Sequence, residues 1–365
     1  MPHLFEPLQL RGITLPNRIG VSPMCEYSCQ EGLANEWHFV HLGSRAVGGA
    51  GLVMTEAAAV SPDARISPQD LGIWSDAHAE ALAPTVRFIR HQGSVAGIQL
   101  AHAGRKASTP RPWEGTDCIA PNAGGWQPVA PSPLPFAPNY CPPRQMTQAD
   151  IAAACRDFGA AAARAVRAGF QVIEIHAAHG YLIHEFLSPL SNQRTDDYGG
   201  SFRGRIRFLR EVTTEVRRVM PDKLPLSVRI SATDWVEDGW AIEDSISLAK
   251  LLKNDGADLI DCSSGGLVPD AKIPVGPGYQ TEFAERIRRE AVVKTAAVGM
   301  ITSAAQADHI IRTHQADVVL LAREFLRDPY WPLHAAQELH QTAHWPVQYL
   351  RAAPKGSLAR TDRED

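Results

Sequence analysis

No stretch of this 365-residue chain approaches the roughly 20 consecutive apolar residues that a membrane-spanning helix needs. The first residues, from Met1 to Glu6, lack the basic and apolar segments of a secretory signal, so we expect no secretion. The formal net charge is only −4, which gives no electrostatic reason to expect nucleic acid or an anionic membrane as a partner. Together these absences predict a protein of the cytoplasm that binds neither nucleic acid nor membrane.

The chain is also poor in cysteine. Six cysteines, at positions 25, 29, 118, 141, 155 and 262, are scattered without a paired CxxC spacing. In a chain of this length, such scattered residues are typical of reduced thiols in a cytoplasm rather than of a disulfide framework. We therefore expect free thiols, with a thiol pair of Cys25 and Cys29 as the less favoured alternative.

What the chain does contain is a regular alternation of short apolar runs with segments of helical periodicity. The predicted strands are residues 18–24, 51–55, 95–100, 172–175, 226–230, 258–262, 294–298 and 317–321, and the predicted helices are residues 37–47, 77–91, 148–168, 206–219, 242–254, 283–289, 304–313 and 332–340. Alternation of this kind predicts parallel strands with helical crossovers, and eight units close most economically into an α/β fold, a (β/α)8 TIM barrel. An open doubly wound sheet is the rival fold, but no G-x-G-x-x-G follows the first strand.

Two regions fall outside this alternation. Residues 109–143, after the third strand, contain ten prolines and two tryptophans without helical periodicity, so we expect a long loop over the site rather than a separate domain. Residues 352–365 are polar and charged and are predicted to form a tail. The hydrophobic content of 44% and charged content of 21% are those of a globular protein, and we predict one barrel domain over residues 1–351.

Polar side chains recur after the predicted strands, at the end where barrel enzymes place their chemistry. The most informative are His176, His179 and Tyr181, which directly follow the apolar strand 172–175. Imidazole and phenol groups donate hydrogen bonds, and both transfer protons when their pKa is tuned. The other residues noted at these strand ends are Ser22, Pro23, Met24, Cys25, Tyr27, Glu56, Ala57, Gln99, His102, Arg229, Gly299 and Arg323.

Carboxylates are almost absent from this set. That absence argues against a glycosidase, which needs a carboxylate pair, and against a hard-metal site, which needs oxygen ligands. Neutral donors, two arginines and a thiol instead suit a planar, anionic cofactor that forms hydrogen bonds. Barrels often bind a phosphate at the ends of strands seven and eight, where Gly299 and Arg323 lie.

Five longer motifs carry a resemblance to a known family. They are Ser22-Pro23-Met24-Cys25-x-Tyr27 and the segments 97–106, 176–181, 188–201 and 297–302. By these motifs, which span almost the whole chain in order, the sequence resembles the old yellow enzyme family of FMN-dependent ene-reductases. It is most similar to the branch of bacterial NADPH dehydrogenases and xenobiotic reductases. The family usually has Gly-Arg where this chain has Ala322-Arg323, and Asn-Arg where it has Gly204-Arg205.

The resemblance implies an NADPH dehydrogenase that binds FMN tightly and uses NADPH, or NADH, as a transient hydride donor. It implies ping-pong reduction of activated C=C bonds in α,β-unsaturated aldehydes, ketones, imides and nitroalkenes, and reduction of nitro-xenobiotics. It further implies no metal, and a homodimer or homotetramer. The residues that it assigns to FMN are Ser22, Pro23, Met24, Cys25, Ala57, Gln99, Arg229, Gly299, Ala322 and Arg323.

The same resemblance assigns the substrate side of the site. His176 and His179 would bind the electron-withdrawing oxygen of the substrate, and Tyr181 would donate a proton. The remaining residues implied are Cys25 at the reactive edge of the flavin, Tyr27 and Trp331 against the substrate, and Arg351 reaching in from the neighbouring subunit.

Two other classes of protein stay open on the residues alone. A metal-dependent barrel hydrolase would use His176 and His179 as ligands, although the sequence places no third ligand beside them. A flavin-bearing redox sensor would use oxidation of Cys25 as its signal, without fast turnover. Visible absorption by a bound flavin would distinguish a flavoenzyme from the metal-dependent hydrolase. Steady consumption of NADPH with an enone would distinguish a flavoenzyme with turnover from the redox sensor.

Overall fold

The computed structural model describes residues 2–360, and it confirms the predicted barrel. Eight parallel strands pair in chain order, and the eighth pairs with the first, with Leu320 opposite Gly20, so the sheet closes on itself. We number these barrel strands 1 to 8 along the chain. They are Ile19–Val21, Leu52–Ala59, Val95–Ala101, Val172–Ala177, Leu226–Ser231, Leu259–Ser263, Lys294–Val298 and Val318–Leu321.

Helices surround the barrel, as the alternation predicts. Within the described residues the α-helices are Glu36–Val47, Asp76–His91, Gln148–Ala168, Leu182–Leu187, Phe202–Val219, Ile242–Asn254, Thr281–Ala291, Ala304–Arg312, Arg323–Arg327 and Trp331–Glu338. Each predicted helix overlaps one of these. The short helices Leu182–Leu187 and Arg323–Arg327 were not predicted, because five or six residues are too few to show a helical period. None of the described helices combines the length and apolar character needed to cross a membrane.

The helix Gln148–Ala168 shows why the boundaries could be read from the sequence. Its N-cap Thr147 accepts a hydrogen bond from the backbone N–H of Asp150, and the Asp150 carboxylate accepts one from the backbone N–H of Thr147. At the other end, Gly169 adopts a left-handed conformation with φ of 96°, which glycine reaches without steric cost. Both signals are local, so the observed ends are those predicted.

A hairpin that the sequence analysis missed closes the amino end of the barrel. Its strands, Leu8–Leu10 and Ile13–Leu15, are antiparallel and three residues long. The buried residues that pack together beneath it are Leu8, Leu10, Leu15, Leu52, Met54, Val95, Val172, Leu259, Ala296, Val298, Val318 and Leu320. Because this end of the barrel is filled with apolar side chains, polar interior residues have room only toward the carboxyl end.

The proline-rich segment after strand 3 is irregular, with a 3-10 turn at Pro121–Ala123 and a two-residue ribbon between Val129–Ala130 and Arg144–Gln145. A disulfide joins Cys118 to Cys141, so the prediction that all six cysteines are reduced thiols is wrong for this pair. The backbone N–H of Cys118 donates to the carbonyl of Asn139 at 2.9 Å. This contact holds the chain where the Cα atoms of Cys118 and Cys141 are 4.8 Å apart, a distance that a disulfide can span. Cysteines 25, 29, 155 and 262 are free thiols.

The segment after residue 351 makes contacts with the barrel domain as far as Arg360. Leu358–Ala359 pairs in parallel with His344–Trp345. Arg360 donates to the carbonyl oxygens of Ala46 at 3.1 Å and His344 at 3.0 Å. The predicted tail therefore includes a described part that docks on the domain, while residues 361–365 lie outside the described residues.

The disulfide leads to a prediction about the proline-rich segment. Replacing Cys118 and Cys141 together with Ser removes a crosslink that spans 23 residues. Closure of a segment of this size stabilises it by about 3 kcal/mol in the chain-entropy account. Because the crosslink lies in a surface segment, we expect faster limited proteolysis within residues 109–143, by up to about 10²-fold, with little change in the circular dichroism of the barrel.

The single variant Cys155→Ser is the matched control, because Cys155 is a free thiol on a helix outside this segment. Thiol titration of the unfolded, unreduced protein is expected to find four reactive cysteines, six minus the two in the disulfide. Six reactive thiols, or equal cleavage rates in the wild type and the double variant, would contradict this assignment.

Candidate active site

The strand register brings the predicted polar residues to one level at the carboxyl end of the barrel. His176 on strand 4 lies opposite Arg229 on strand 5, and Arg229 lies opposite Asp261 on strand 6. Gln99 on strand 3 has two register partners, Ala57 on strand 2 and Glu174 on strand 4. Residues that are paired across parallel strands point to the same face, so these side chains share the barrel interior.

Arg229 is the cation at the centre of this group, and its residue is only 5% exposed. Its Nε lies 3.1 Å from the Asp261 carboxylate, and a terminal guanidinium nitrogen donates to the Ser22 hydroxyl at 3.1 Å. Ser22 follows strand 1 and its backbone N–H donates to the carbonyl of Leu321 at the end of strand 8. Arg229 thereby links three regions of the barrel mouth.

Two carboxylates that the sequence analysis missed lie in the same layer. Glu174 accepts hydrogen bonds from the Gln99 amide at 2.9 Å and from the Ser227 hydroxyl at 2.8 Å. Asp261 is fully buried beside Arg229. A signal was present for Glu174, because it alternates with His176 along strand 4 and must share its face. The prediction that the site has almost no carboxylates is therefore wrong for the barrel interior.

The rings of His176, His179 and Tyr181 form one cluster above this layer. The ring centroids of His176 and His179 are 5.2 Å apart, and those of His176 and Tyr181 are 5.0 Å apart, both in edge-to-face geometry. Burial, and then the positive charge of Arg229, lower the pKa of both imidazoles well below the ordinary value. Both histidines are consequently neutral near pH 7.

The conformation of the His-x-x-His turn is fixed from several sides. His179 and Gly180 both have left-handed backbones, with φ of 60° and 72°, and a Cβ at Gly180 would lie 2.2 Å from the carbonyl oxygen of Gly266. The Lys106 ammonium donates to the carbonyl oxygens of His179 at 2.8 Å and Gly266 at 2.5 Å. The His179 ring nitrogen Nε2 lies 2.7 Å from the Ser263 hydroxyl. These contacts set where the second imidazole lies.

The phenol of Tyr181 and the thiol of Cys25 are both held in their protonated forms. Burial, followed by the negative charge that Cys25 and Tyr27 would carry, raises the pKa of Tyr181 well above its ordinary value. Burial and the carboxylates of Asp70 and Glu56 raise the pKa of Cys25 in the same way. The site therefore contains a phenol that retains its proton and a thiol rather than a thiolate.

A hydrogen-bonded cluster supports the turn that carries Cys25 and Tyr27. Glu56 accepts from the backbone N–H of Glu26 at 3.0 Å, and its other oxygen lies 3.0 Å from Nε2 of His38. Tyr27 has a left-handed backbone, with φ of 49°, and its ring meets the exposed ring of Trp113 edge-on at 5.8 Å. The proline-rich segment therefore reaches the rim of the site through Trp113.

The predicted phosphate end lies at strands 7 and 8. Gly299 has φ of 126°, and a Cβ there would lie 2.8 Å from the side-chain nitrogen of Gln280. Ala322 immediately precedes Arg323, the first residue of the helix Arg323–Arg327. Arg323 and Arg229 both act to lower the pKa of Tyr279, although burial has the larger effect and raises it. Tyr279 is thus a neighbour of both cations, and the sequence analysis did not find it.

Two predicted substrate residues lie apart from the ring cluster. Trp331 is buried in the core, and its indole N–H donates to the carbonyl of Thr302 at 3.3 Å. Arg351 is exposed on the 3-10 helix Val347–Ala352. Pro23 and Met24 follow Ser22 after strand 1.

Comparisons with known proteins decide the family. The model of the NADH:flavin oxidoreductase / NADH oxidase family matches residues 3–342. This chain belongs to that family. It is accordingly an oxidoreductase that uses FMN, with a nicotinamide as hydride donor, and the predicted family and cofactors are confirmed.

Relatives of this flavin oxidoreductase agree with the assignment. The NADPH dehydrogenase of Geobacillus sp. (strain WCH70) is 50% identical over 350 residues, which cover 95% of this chain and 98% of that protein. The structure of morphinone reductase in complex with tetrahydroNAD has a TM-score of 0.77 at 28% identity, covering 95% of this chain and 93% of that one. An old yellow enzyme homologue from Zymomonas mobilis has a TM-score of 0.78 at 27% identity, covering 92% and 93%. The metal-dependent hydrolase is not favoured.

The donors of the barrel mouth fit FMN. The guanidinium of Arg229 is buried at the carboxyl end of the barrel, where Nε pairs with Asp261 and one terminal nitrogen donates to Ser22, and the Gln99 amide lies in the same interior. A cation and neutral donors at one level suit the polar edge of a flavin ring. Gly299 and Arg323 offer an open backbone and a guanidinium for its phosphate.

Lys106 gives this flavin oxidoreductase a pH dependence that can be measured. Burial and the nearby Arg105 lower the pKa of Lys106 to about 7, and its ammonium lies 5.6 Å from the centroid of the Tyr181 ring. A protonated Lys106 attracts an anionic ligand, and this attraction is lost as pH rises through 7. We expect the dissociation constant of an ionised phenol to rise about fivefold, equivalent to about 1 kcal/mol, between about pH 6 and 8.

Titration of the holoenzyme with a fully ionised phenol, followed by flavin absorbance, measures this change. Lys106→Met is expected to remove most of the pH dependence, because the neutral histidines do not titrate in this range and Asp261, whose pKa is also about 7, is paired with Arg229 on strand 5. An unchanged pH profile in Lys106→Met would assign the titration to another group.

Proposed function

We propose that this protein is an NADPH-dependent ene-reductase, with NADH as a possible alternative donor. Its substrates would be α,β-unsaturated aldehydes, ketones, imides and nitroalkenes, and nitro-xenobiotics in addition. The observation that carries the proposal is the cluster of three neutral donor groups in which the His176 ring lies 5.2 Å from that of His179 and 5.0 Å from that of Tyr181. A NADPH dehydrogenase that is 50% identical supports NADPH as the donor.

FMN, held by the donors around Arg229, would supply the transfer of a hydride from the nicotinamide to the β-carbon of the alkene. The histidines bind the oxygen of the electron-withdrawing group. Nδ1 of His176 accepts from the backbone N–H of Ala178 at 3.3 Å, which leaves the proton on Nε2 as the donor to substrate. His179 exchanges its Ser263 partner for the substrate oxygen. Donors placed where negative charge grows on that oxygen lower the barrier to hydride transfer.

Tyr181 is the proposed proton donor to the α-carbon. Its raised pKa keeps the phenol protonated at all physiological pH values, so the proton is present before hydride arrives. Cys25 is proposed to tune the flavin rather than to attack the substrate, because its own pKa is raised and the thiolate is scarce. A redox sensor based on Cys25 is disfavoured by the same property.

Assembly of the protein is also part of the proposal. The segment 346–351 carries exposed Val347 and Tyr349 beside Arg351. We propose that this segment extends to a neighbouring subunit in a homodimer or homotetramer, where Arg351 reaches the substrate. Location in the cytoplasm stays a prediction, and the Cys118–Cys141 disulfide is the feature that a reducing compartment would oppose.

Tyr181→Phe tests the proton donor. The substitution removes the acidic proton and keeps the ring, so the reduction of flavin by NADPH is expected to change less than about threefold. Reduction of an enone is expected to slow by roughly 10²- to 10⁴-fold, the usual contribution of a general acid. Reduction of a nitroalkene is expected to slow less, because the nitronate anion formed by hydride transfer is stable enough to leave the site and take its proton from water.

Stopped-flow measurement of the two half-reactions separates these effects. Tyr198→Phe is the matched control, because the Tyr198 hydroxyl donates to Glu211 on a helix outside the site. Equal slowing of flavin reduction and enone reduction in Tyr181→Phe would show that the tyrosine positions the ligand and does not donate the proton.

Arg351→Ala tests the contribution of the second subunit. Loss of a guanidinium at the substrate is expected to raise KM for the alkene by about tenfold, with little change in the assembly measured by light scattering. Lys355→Ala removes a positive charge from an exposed position four residues after Arg351, outside the segment 346–351, and is expected to leave KM unchanged. An unchanged KM in Arg351→Ala would make Arg351 a solvated side chain.

A further inference from the structure

Beneath the proposed flavin site, the barrel interior holds two carboxylates and one guanidinium. Glu174 is 2% exposed, Arg229 is 5% exposed and Asp261 is fully buried. If both carboxylates were ionised, this layer would carry one uncompensated negative charge. Burial of an unpaired charge is costly, and proteins usually avoid it by taking up a proton. The number of protons that the two carboxylates bind therefore depends on the charge of the cofactor above them.

The three side chains have different partners. Arg229 lies 3.1 Å from Asp261, and Oδ1 of Asp261 has no hydrogen-bond partner among the described residues. Glu174 is held by two neutral donors, the Gln99 amide at 2.9 Å and the Ser227 hydroxyl at 2.8 Å. The single cation therefore pairs directly with one carboxylate while the other depends on neutral groups.

Few other ionisable groups face this layer. The register partner of Asp261 on strand 7 is Ala296, and that of Glu174 on strand 3 is Gln99. His176 is the register partner of Arg229 on strand 4 and is neutral near pH 7. Among the described groups, the charges that act on Glu174 and Asp261 are thus Arg229 and each other.

Burial raises the pKa of both carboxyl groups, and Arg229 opposes this effect without abolishing it. For Asp261 the result is a pKa of about 7, to which the charge of Glu174 contributes. Two coupled carboxyls lose their protons as a pair, so near neutral pH the pair is poised between holding one proton and holding none.

We propose that the Glu174–Arg229–Asp261 layer takes up one proton from solvent when the flavin is reduced and releases it when the substrate reoxidises the flavin. The hydride brings two electrons and one proton to the neutral oxidised ring, which becomes an anion. The additional proton binds a carboxylate oxygen of the layer, and no other bond changes. The inference rests on the proposed placement of the flavin beside Arg229.

The physical cause is competition for one guanidinium. A new negative charge on the flavin ring interacts with Arg229, so the guanidinium neutralises the charge of the carboxylates less completely. Their affinity for a proton therefore rises. In acidic solution the carboxyl pair of Glu174 and Asp261 already holds its proton in both oxidation states of the flavin, so reduction causes no additional proton uptake. The added proton uptake is therefore expected from about pH 7 upward.

The reduction potential of the holoenzyme, measured against pH by equilibrium titration with a chemical reductant, tests the proposal. A wild-type enzyme with this layer is expected to take up more than one proton per two electrons, approaching two, between about pH 7 and the higher pKa that the layer has in the reduced enzyme, and close to one below that range. Glu174→Gln and Asp261→Asn each leave one carboxylate for one guanidinium, and both variants are expected to take up one proton throughout. Asp234→Asn removes a buried carboxylate that pairs with His184 instead, and is expected to behave as the wild type.

Uptake of one proton at every pH in the wild type, or wild-type behaviour in both variants, would overturn the proposal. If the variants fail to bind FMN, infrared difference spectra of the wild type decide. Reduction above pH 7 is expected to add the carbonyl band of a protonated carboxyl group, and its absence refutes the proposal. The titration uses neither nicotinamide nor alkene, so a failure of alkene reduction would not affect it, and a failed titration with normal alkene reduction would sink this inference alone.

Discussion

Arg229 connects three barrel strands through one side chain, and the candidate site is arranged around it. The guanidinium is buried on strand 5, pairs with Asp261 on strand 6 and bonds to Ser22 at the end of strand 1. Burial lowers the pKa of the His176 and His179 imidazoles, and the positive charge of Arg229 lowers it further. A buried cation of this kind is stable only with partners, so the barrel must close in register for the site to exist.

The interior of the barrel is divided along its axis. At the amino end, apolar side chains from the strands pack against the leucines of the hairpin. At the carboxyl end, the same strands present Gln99, Glu174, Arg229 and Asp261. The apolar half stabilises the closed sheet, which lets the polar half contain buried charges whose geometry is imposed by the strands rather than by their own attraction.

Much of this organisation could be predicted from the sequence because its signals are local. The strands and the longer helices have clear periodicity, and residues such as Thr147 and Gly169 mark helix ends. The motif from His176 to Tyr181 indicated the ring cluster because it directly follows an apolar strand. The family resemblance supplied the cofactor, which the strand-end residues alone only suggested.

Other features depend on long-range contacts and could not be predicted. The hairpin strands are three residues long, too short to show a period, and they form because the barrel offers an apolar surface. The link between Cys118 and Cys141 depends on how the segment 109–143 folds back on itself. Asp261 was read as part of an apolar strand, and only the barrel register shows that it faces Arg229.

The hairpin also determines from which end of the barrel ligands reach the candidate site. Because Leu8, Leu10 and Leu15 fill the amino end of the barrel, the described residues leave the carboxyl end as the side from which ligands reach the candidate site. A ligand that binds from the carboxyl end has to leave from the same end before the next ligand binds. The edge-to-face contact of Trp113 with Tyr27 places part of the proline-rich segment at this same end.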